Sequence, residues 1–243
     1  ILAKNKIHDS EITSICWSRD SSSIVTASRD SSIAVVDPEK LRILCRKSVF
    51  SLGINSAKIC PDGKTIVAGS DDSTLKILDM RCRILDEVRG HIAVISDVAW
   101  SRDGKFFVSC SWDGTVRVWR SETRSEYLLI KCDERVTCVD YNPKTDYIAF
   151  GTESGHIYVW DLRRMAEHTR FRAYRTKVRS LKWSPDGVRL LSCGDSSILA
   201  YNIVQKKEIR HILSLQANSV CWGPDIRSIA AGCRNGNLIL LSL

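Results

Sequence analysis

The chain has 243 residues, enough for one large domain or two small ones, and a formal net charge of +8. Hydrophobic residues make up 44% of the sequence and charged residues 26%, as is usual for a globular protein in water. No apolar run approaches the ~20 residues that a membrane-spanning helix needs, and no secretory leader is visible. We therefore expect no membrane partner.

The ten cysteines include no Cys-x-x-Cys pair and no Cys/His cluster with the spacing of a zinc site. Cys16, Cys138 and Cys221 lie in apolar runs, where cysteine behaves as a small buried hydrophobic residue. We expect reduced thiols without a disulfide framework, no bound metal, and an intracellular protein, either cytoplasmic or nuclear.

From the amino end onward, the sequence repeats one pattern about every forty residues. One position of the repeat, aromatic in all but one case, ends a short strand of alternating apolar residues. It is occupied by Trp17, Ile59, Trp100, Tyr141, Trp183 and Trp222. A second position recurs nearly in parallel at Val36, Leu78, Trp119, Trp160, Tyr201 and Leu241. Self-similarity at a fixed period is the signature of a repeat architecture.

Each repeat predicts short strands joined by tight turns. After the first strand comes a turn of the type Ser184-Pro185-Asp186-Gly187, then a second strand, a second turn and a third strand. Frequent turn signals with period-two alternation indicate an all-β fold. We predict a single domain over residues 1–243, with repeat units at approximately 8–47, 48–89, 90–131, 132–172, 173–212 and 213–243.

The pattern resembles the WD40 repeat family over essentially the whole chain, and the third repeat matches it best. Gly90-His91 opens that repeat, Asp113 holds its tight turn, and Trp119 closes its third strand. The resemblance implies a β-propeller of four-stranded antiparallel blades. It also implies one hydrogen-bonded set of His91, Ser109, Asp113 and Trp119, which fits the need of a buried indole and imidazole for partners.

Other repeats depart from the family pattern. The first keeps His8 and Asp30, whereas the fourth has Ser154 at the position of the turn aspartate and no opening histidine. The fifth has Tyr174 at the opening position and Asp195 in the turn. We expect repeats two, four and six to lack the polar set.

The blade count depends on how the ring closes. Residues 1–7 are interpreted as an outer strand that completes the sixth blade, because closure removes exposed sheet edges. A closed ring of six blades is favoured on this ground. The family most often has seven blades, so the chain as part of a seven-bladed ring stays an alternative.

Trp112 stands directly before Asp113-Gly114, where a tight turn is expected. In the family, the residue before the turn aspartate and residues near the start of each first strand face the solvent around the central channel. This correspondence gives a rim of Arg29, Asp71, Trp112, Arg135, Glu153, Lys177, Arg179 and Arg234. Tryptophan and arginine dominate binding hot spots, so an acidic or phosphorylated peptide would suit this rim. In the alternative interpretation, Trp112 merely covers a neighbouring turn.

The positive charge is concentrated in residues 163–182. That segment carries Arg163, Arg164, Arg170, Arg172, Arg175, Lys177, Arg179 and Lys182, opposed only by Glu167. Phe171 and Tyr174 lie among them, a combination typical of single-stranded nucleic-acid surfaces. The structural alternative is an edge strand whose basic residues block edge-to-edge pairing.

No catalytic motif stands out. His8-Asp9-Ser10 contains triad residue types without triad geometry, and Gly63-Lys64-Thr65 lacks the earlier glycine of a phosphate loop. We expect no enzymatic activity, no cofactor and no small-molecule substrate. The sequence therefore favours a scaffold that binds protein segments at the rim within a larger assembly. The alternative is binding of RNA, a ribonucleoprotein or an acidic protein tail through residues 163–182.

Overall fold

The computed structural model describes residues 5–195, 197–212, 216–223 and 225–242, with residues 211 and 212 described by their backbone only. The described chain forms 23 strands in six antiparallel sheets, one for each predicted repeat. The prediction of an all-β fold built from propeller blades is thereby confirmed. Among these residues, no helix is long and apolar enough to span a membrane.

The chain divides into two compact units, Ile1–Lys131 and Cys132–Leu243, and each contains three blades. Blade 1 contains β1 (Ile12–Trp17), β2 (Ile24–Ser28), β3 (Ser32–Asp37) and β4 (Arg42–Ser48). Blade 2 contains β5 (Ile54–Ile59), β6 (Thr65–Ser70), β7 (Leu75–Asp79) and β8 (Ile84–Val88). Blade 3 contains β9 (Ile95–Trp100), β10 (Phe106–Ser111), β11 (Thr115–Arg120) and β12 (Glu126–Lys131).

The second unit repeats this order. Blade 4 contains β13 (Val136–Tyr141), β14 (Tyr147–Thr152), β15 (His156–Asp161) and β16 (Ala166–Arg172). Blade 5 contains β17 (Val178–Trp183), β18 (Arg189–Gly194), β19 (Ser197–Asn202) and β20 (Lys207–Ile212). Blade 6 has three described strands, β21 (Ala217–Trp222), β22 (Ser228–Cys233) and β23 (Leu238–Ser242).

Within each unit, neighbouring blades bury their faces against each other. A Cβ atom built on Gly69 of blade 2 would lie 2.4 Å from Ile95 of blade 3, and one on Gly151 of blade 4 would lie 2.5 Å from Val178 of blade 5. Only glycine permits so close an approach of two sheets. First strands are also linked directly, since the Thr13 hydroxyl donates to the Ile54 carbonyl at 2.6 Å.

Blade 1 leaves apolar positions of its first strand exposed. The side chain of Ile15 is 60% exposed, whereas the equivalent Ala57 and Val98 of blades 2 and 3 are 1% and 0% exposed. The position that is buried in the first strands of blades 2 and 3 is therefore exposed to solvent in blade 1.

Blade 6 shows the same feature at its third strand. The side chain of Leu240 is 72% exposed, whereas the equivalent Val159 and Ala200 of blades 4 and 5 are 0% and 4% exposed. A row of residues that is buried elsewhere in this unit thus lies uncovered on β23.

The predicted closing strand falls largely outside the described residues, which exclude 1–4. Residues 5–7 form no strand, and the Asn5 side-chain amide donates to the Leu41 carbonyl of blade 1 at 3.0 Å. The role of residues 1–7 in completing blade 6 stays a prediction.

Two expectations about the cysteines were wrong. Cys45 of β4 and Cys82 of the turn before β8 form a disulfide, with their Cα atoms 6.3 Å apart. The two residues meet because blade 1 and blade 2 pack together, which sequence separation hides. Cys221 is exposed, whereas Cys138 is buried and Cys16 is intermediate. The exposed position of Cys221 on its first strand corresponds to the charged Lys182 of blade 5.

A chain of hydrogen bonds locks blade 3. The Trp119 indole N–H donates to Ser109 Oγ at 2.8 Å, and Ser109 Oγ lies 2.8 Å from His91 Nε2. His91 Nδ1 lies 2.9 Å from a carboxylate oxygen of Asp113. Each group can therefore donate to the next in one direction, from Trp119 to Asp113. The indole, hydroxyl, imidazole and carboxylate groups of these four residues are thus all hydrogen-bonded.

Asp113 also fixes the turn between β10 and β11. Its carboxylate accepts hydrogen bonds from the backbone N–H groups of Ile92 and Thr115 and from the Thr115 hydroxyl. Burial by itself would raise the pKa of Asp113, but the hydrogen bonds from His91 and Thr115 outweigh it and hold that pKa well below its ordinary value.

Replacing the central serine of this chain tests its contribution to stability. Ser109→Ala leaves the buried His91 and Trp119 nitrogens without their partner, so we expect the free energy of unfolding to fall by about 2–4 kcal/mol. Urea unfolding followed by circular dichroism measures the change. The exposed Ser10→Ala serves as control, with an expected change within about 0.5 kcal/mol. Equal effects of the two substitutions would contradict the assignment.

The lowered pKa of Asp113 predicts a pH dependence. Its ionised form stabilises the fold above the ordinary pKa of 3.8, and this contribution is lost as the pH falls through the lower folded-state pKa. Asp113→Asn removes the titrating group, so the free energy of unfolding should decline less between about pH 4 and about pH 2 than in the unaltered protein. Chemical denaturation across that range measures the slope. Asp133→Asn, at an exposed carboxylate, is the control. If the free energy of unfolding of Asp113→Asn falls as steeply with decreasing pH as that of the control, the prediction is refuted.

Candidate partner-binding surfaces

Trp112 is presented by the β10–β11 turn of the first unit. Its side chain is 44% exposed, although its backbone N–H donates to the Val94 carbonyl at 3.0 Å. The next residue, Asp113, is held by the hydrogen bonds described above. The indole is therefore carried by a turn that is fixed on both sides, as a binding anchor requires.

The residues predicted to lie beside Trp112 in neighbouring turns bind each other. Arg29 Nη1 of blade 1 lies 2.8 Å from Asp71 Oδ2 of blade 2, and the Asn55 side-chain amide donates to Asp71 Oδ1 at 2.7 Å. Both members are partly exposed. Their charges offset one another, so this part of the rim offers a polar surface without a net charge.

The same backbone hydrogen bond recurs at the turn of five blades, and it joins the residue before the turn to the residue before or at the start of the first strand. The pairs, donor first, are Arg29 with Glu11, Asp71 with Gly53, Trp112 with Val94, Glu153 with Arg135, and Arg234 with Gln216. The two sets of residues that the sequence analysis assigned to the rim thus occupy one end of each blade.

In the second unit the rim positions are more basic. Arg135 and Glu153 form an ion pair at 3.6 Å, and each side chain is about half exposed. Lys177 and Arg234 are exposed, whereas Arg179 is partly buried and its Nε atom has no hydrogen-bond partner among the described residues.

The basic segment 163–182 is less uniform than its sequence indicates. Its first half is paired with carboxylates on its own blade, because Arg163 bonds to Asp146, Arg164 lies 3.7 Å from Asp161, and Arg170 lies 3.8 Å from Glu167. The bond to Asp146 raises the pKa of Arg163.

Lys182 is also paired, with its Nζ 2.9 Å from Asp140 of the preceding blade. Arg172, Arg175, Lys177 and Arg179 remain, and none of them forms an ion pair with a described carboxylate. The positive charge that is left for a partner therefore lies at the end of β16 and in the loop that follows, with the partly buried Arg179 on β17.

The aromatic residues of this segment are engaged in packing. Tyr174 is 3% exposed and its hydroxyl lies 2.9 Å from Ser192 Oγ, while Phe171 stacks on Tyr201 with ring centroids 4.3 Å apart. Burial raises the pKa of the Tyr174 hydroxyl despite the hydrogen bond to Ser192. Neither ring offers a free face on which a base could stack.

Two blades hold replacements for the family's polar set, of which the sequence analysis noted only Tyr174 at the opening position of the fifth repeat. In blade 4, Glu134 accepts a hydrogen bond from the Ser154 N–H at 2.9 Å and lies 3.4 Å from His156 Nδ1, which is 2.7 Å from Ser154 Oγ. In blade 3 the histidine precedes the first strand and the carboxylate lies in the turn after the second. In blade 4 the carboxylate of Glu134 precedes the first strand, and His156 follows the turn after the second strand. In blade 5, Tyr174 takes the place of the histidine, and its hydroxyl bonds to the strand serine, Ser192. Blade 4 thus lacks the family's own set, as expected, and its Trp160 indole N–H has no hydrogen-bond partner among the described residues, but a different polar cluster holds the turn.

Blades 1 and 2 keep parts of the set. His8 Nε2 lies 2.8 Å from Thr26 Oγ1, and His8 Nδ1 lies 3.2 Å from Asp30, which also binds Arg46 at 3.0 Å. Burial lowers the pKa of His8 in spite of the neighbouring Asp30. In blade 2, Asp72 accepts hydrogen bonds from Ser51 and from Thr74 without a histidine.

Comparison with known proteins places these surfaces in context. The chain is similar to THO complex subunit 3 of Arabidopsis thaliana, with 27% identity over 236 residues that cover 93% of this chain and 72% of the relative. It is also similar to transcription initiation factor TFIID subunit 5 of Caenorhabditis elegans and to pre-mRNA-processing factor 19 homolog 2 of Arabidopsis thaliana, at 23% identity each. Those two matches cover 77% and 83% of this chain, but 30% and 40% of the relatives.

Family profiles match most of the chain. The profile described as WD domain, G-beta repeat, matches residues 2–37, 45–79 and 82–120, and that of the anaphase-promoting complex subunit 4 WD40 domain matches residues 139–218. Each of the first three ranges ends with the third strand of a blade of the first unit, and the second and third ranges include outer-strand residues of the preceding blade. The last range extends from β13 to the start of β21. The chain therefore belongs to the WD40-repeat family, as the periodicity and the polar set of the third repeat had indicated.

Proposed function

We propose that this protein is a non-catalytic scaffold that binds segments of other proteins on the surface around Trp112. The observation that carries the proposal is an exposed tryptophan on a turn held by the Val94 carbonyl and the Asp113 network. A rigid aromatic anchor loses little conformational freedom when it is buried by a partner. The names of two relatives as complex subunits support the same role within an assembly.

The nearby Arg29–Asp71 pair adds polar contacts at the edge of this surface. Because the pair is partly exposed and its charges cancel, it contributes specificity more than attraction. Binding at this surface should therefore depend on the indole and persist at high salt. We propose an intracellular location, and no cofactor or catalysis enters the role.

The geometry gives less support to RNA as the main partner. Four basic residues of 163–182 are already paired with carboxylates, and the aromatic rings of that segment are packed. A single-stranded nucleic acid would find neither a continuous row of free cations nor a stacking face.

Removing the indole is the direct test. Trp112→Ala should release protein partners that the unaltered protein retains from its own cells after a wash at about 1 M NaCl, where the Debye length is ~3 Å. The loss should correspond to at least ~2 kcal/mol of binding free energy, the usual cost of truncating such an anchor. Quantitative mass spectrometry of the retained proteins measures it.

Met165→Ala is the matched control, because Met165 is equally exposed at 44% and lies in the turn at the other end of a blade. This variant should retain all partners. If Trp112→Ala also retains them, or if only RNA is recovered and it leaves at high salt, the proposed role of the Trp112 surface is wrong.

A further inference from the structure

An open groove of about 930 Å³ lies at one end of blade 5 and is lined by three arginines from separate segments. Arg172 ends β16, Arg175 lies in the loop before β17, and Arg210 projects from β20. Two of the three were part of the basic segment noted in the sequence, but Arg210 is about forty residues away and joins them only in the fold.

Neutral acceptors hold two of these guanidinium groups in place. Arg172 Nε donates to the Tyr174 carbonyl at 3.2 Å, and Arg210 Nη1 donates to the Ala173 carbonyl at 2.7 Å. The Arg210 guanidinium also lies over the Tyr174 ring, 5.6 Å from its centroid. These contacts fix the orientation of both groups without offsetting their charge.

Two carboxylates near the groove compensate part of that charge, and one of them, Asp195, interacts electrostatically with Arg175. Asp195 accepts hydrogen bonds from the backbone N–H groups of Arg175 and Thr176 and from the Thr176 hydroxyl, so its oxygens are directed at the loop. Glu208 lies 3.8 Å from Arg210 Nη2 and is itself half exposed. Such an exposed pair is weak and is readily exchanged for a better acceptor.

The floor of the groove is rigid. Tyr174 is buried with its hydroxyl on Ser192, and its backbone N–H donates to the Gly155 carbonyl at 3.1 Å. A Cβ atom on Gly194 would lie 2.7 Å from the Tyr174 ring, and one on Gly155 would lie 2.2 Å from the Tyr174 carbonyl oxygen. Gly155 and Gly194 thus leave room for Tyr174, and Tyr174 contacts both Arg172 and Arg210. The donors are preorganised, which lowers the entropic cost of binding.

From this arrangement we infer that the groove binds the phosphate group of a phosphorylated serine or threonine in a partner protein. A phosphate monoester brings nearly two negative charges and three acceptor oxygens, which matches several guanidinium forks converging from different sides. A nucleic acid fits less well, because the nearby rings of Phe171 and Tyr174 are packed and cannot stack on bases. The inference rests on the proposed role as a binder of protein segments, but it uses a site separate from Trp112.

The test compares four probes on the full chain by fluorescence anisotropy and competition. These are a short labelled peptide pool of random sequence around a central phosphoserine, the same pool with serine, a labelled single-stranded RNA, and inorganic phosphate as competitor. We expect the phosphoserine pool to bind at least about tenfold more tightly than the serine pool, the effect of one charge-assisted hydrogen bond. Inorganic phosphate should compete only weakly.

Arg172→Gln and Arg175→Gln should each abolish the preference for phosphoserine. Arg175 is exposed and its guanidinium makes no hydrogen bond to a described residue, so its substitution should leave thermal unfolding unchanged even if Arg172→Gln weakens the fold. Arg163→Gln is the charge-matched control, because Arg163 lies on the same segment but is paired with Asp146 away from the groove.

The possible results separate the two proposals. Loss of the preference in the groove variants but not in Arg163→Gln or Trp112→Ala supports the groove, whatever the outcome for the Trp112 surface. An equal loss in Arg163→Gln would reduce the effect to general charge and overturn the inference. So would equal binding of the two peptide pools, or binding of a single-stranded RNA that alone responds to the groove variants.

Discussion

The pairing of buried polar side chains determines the local structure of blade 3. The indole of Trp119, the hydroxyl of Ser109, the imidazole of His91 and the carboxylate of Asp113 form one hydrogen-bonded chain there. The last link also closes the β10–β11 turn. A requirement of the core therefore determines where the outer tryptophan stands, because Trp112 immediately precedes the fixed aspartate.

Blades 4 and 5 meet this requirement only in part and with different residues, since the indole N–H groups of Trp160 and Trp183 are buried without a hydrogen-bond partner among the described residues. Blade 4 exchanges the positions of carboxylate and histidine, so that Glu134 and His156 meet across Ser154. Blade 5 substitutes the hydroxyl of Tyr174 for the imidazole. That second solution has a consequence at the surface, since the tyrosine ring and carbonyl orient Arg210 and Arg172. In both units a structural residue of the blade thus supports a candidate binding group beside it.

Ion pairs within and between blades determine where free positive charge remains, and the number of basic residues in a stretch of sequence does not. Basic residues of 163–170 and Lys182 are neutralised by carboxylates that the fold brings near them. Arg29 and Asp71 cancel in the same way on the first unit. What remains at the groove is Arg172 and Arg175 without a described ion-pair partner, and Arg210 with only the half-exposed Glu208 at 3.8 Å, which favours recognition of a compact anion over attraction of an extended polymer.

The sequence by itself determined the repeats, the all-β class and the members of the blade 3 set, because these depend on periodicity and on residues at fixed spacing. The resemblance to the WD40 family also implied that Trp112 faces solvent, and its side chain is 44% exposed. The tertiary structure decided which charges remain free, since Asp146 and Asp140 approach Arg163 and Lys182 only after strands pair and blades pack. It likewise joined Cys45 to Cys82 in a disulfide and placed Arg210 in the same groove as Arg172. No local pattern encodes either pairing, because the members of each pair lie 37 or more residues apart.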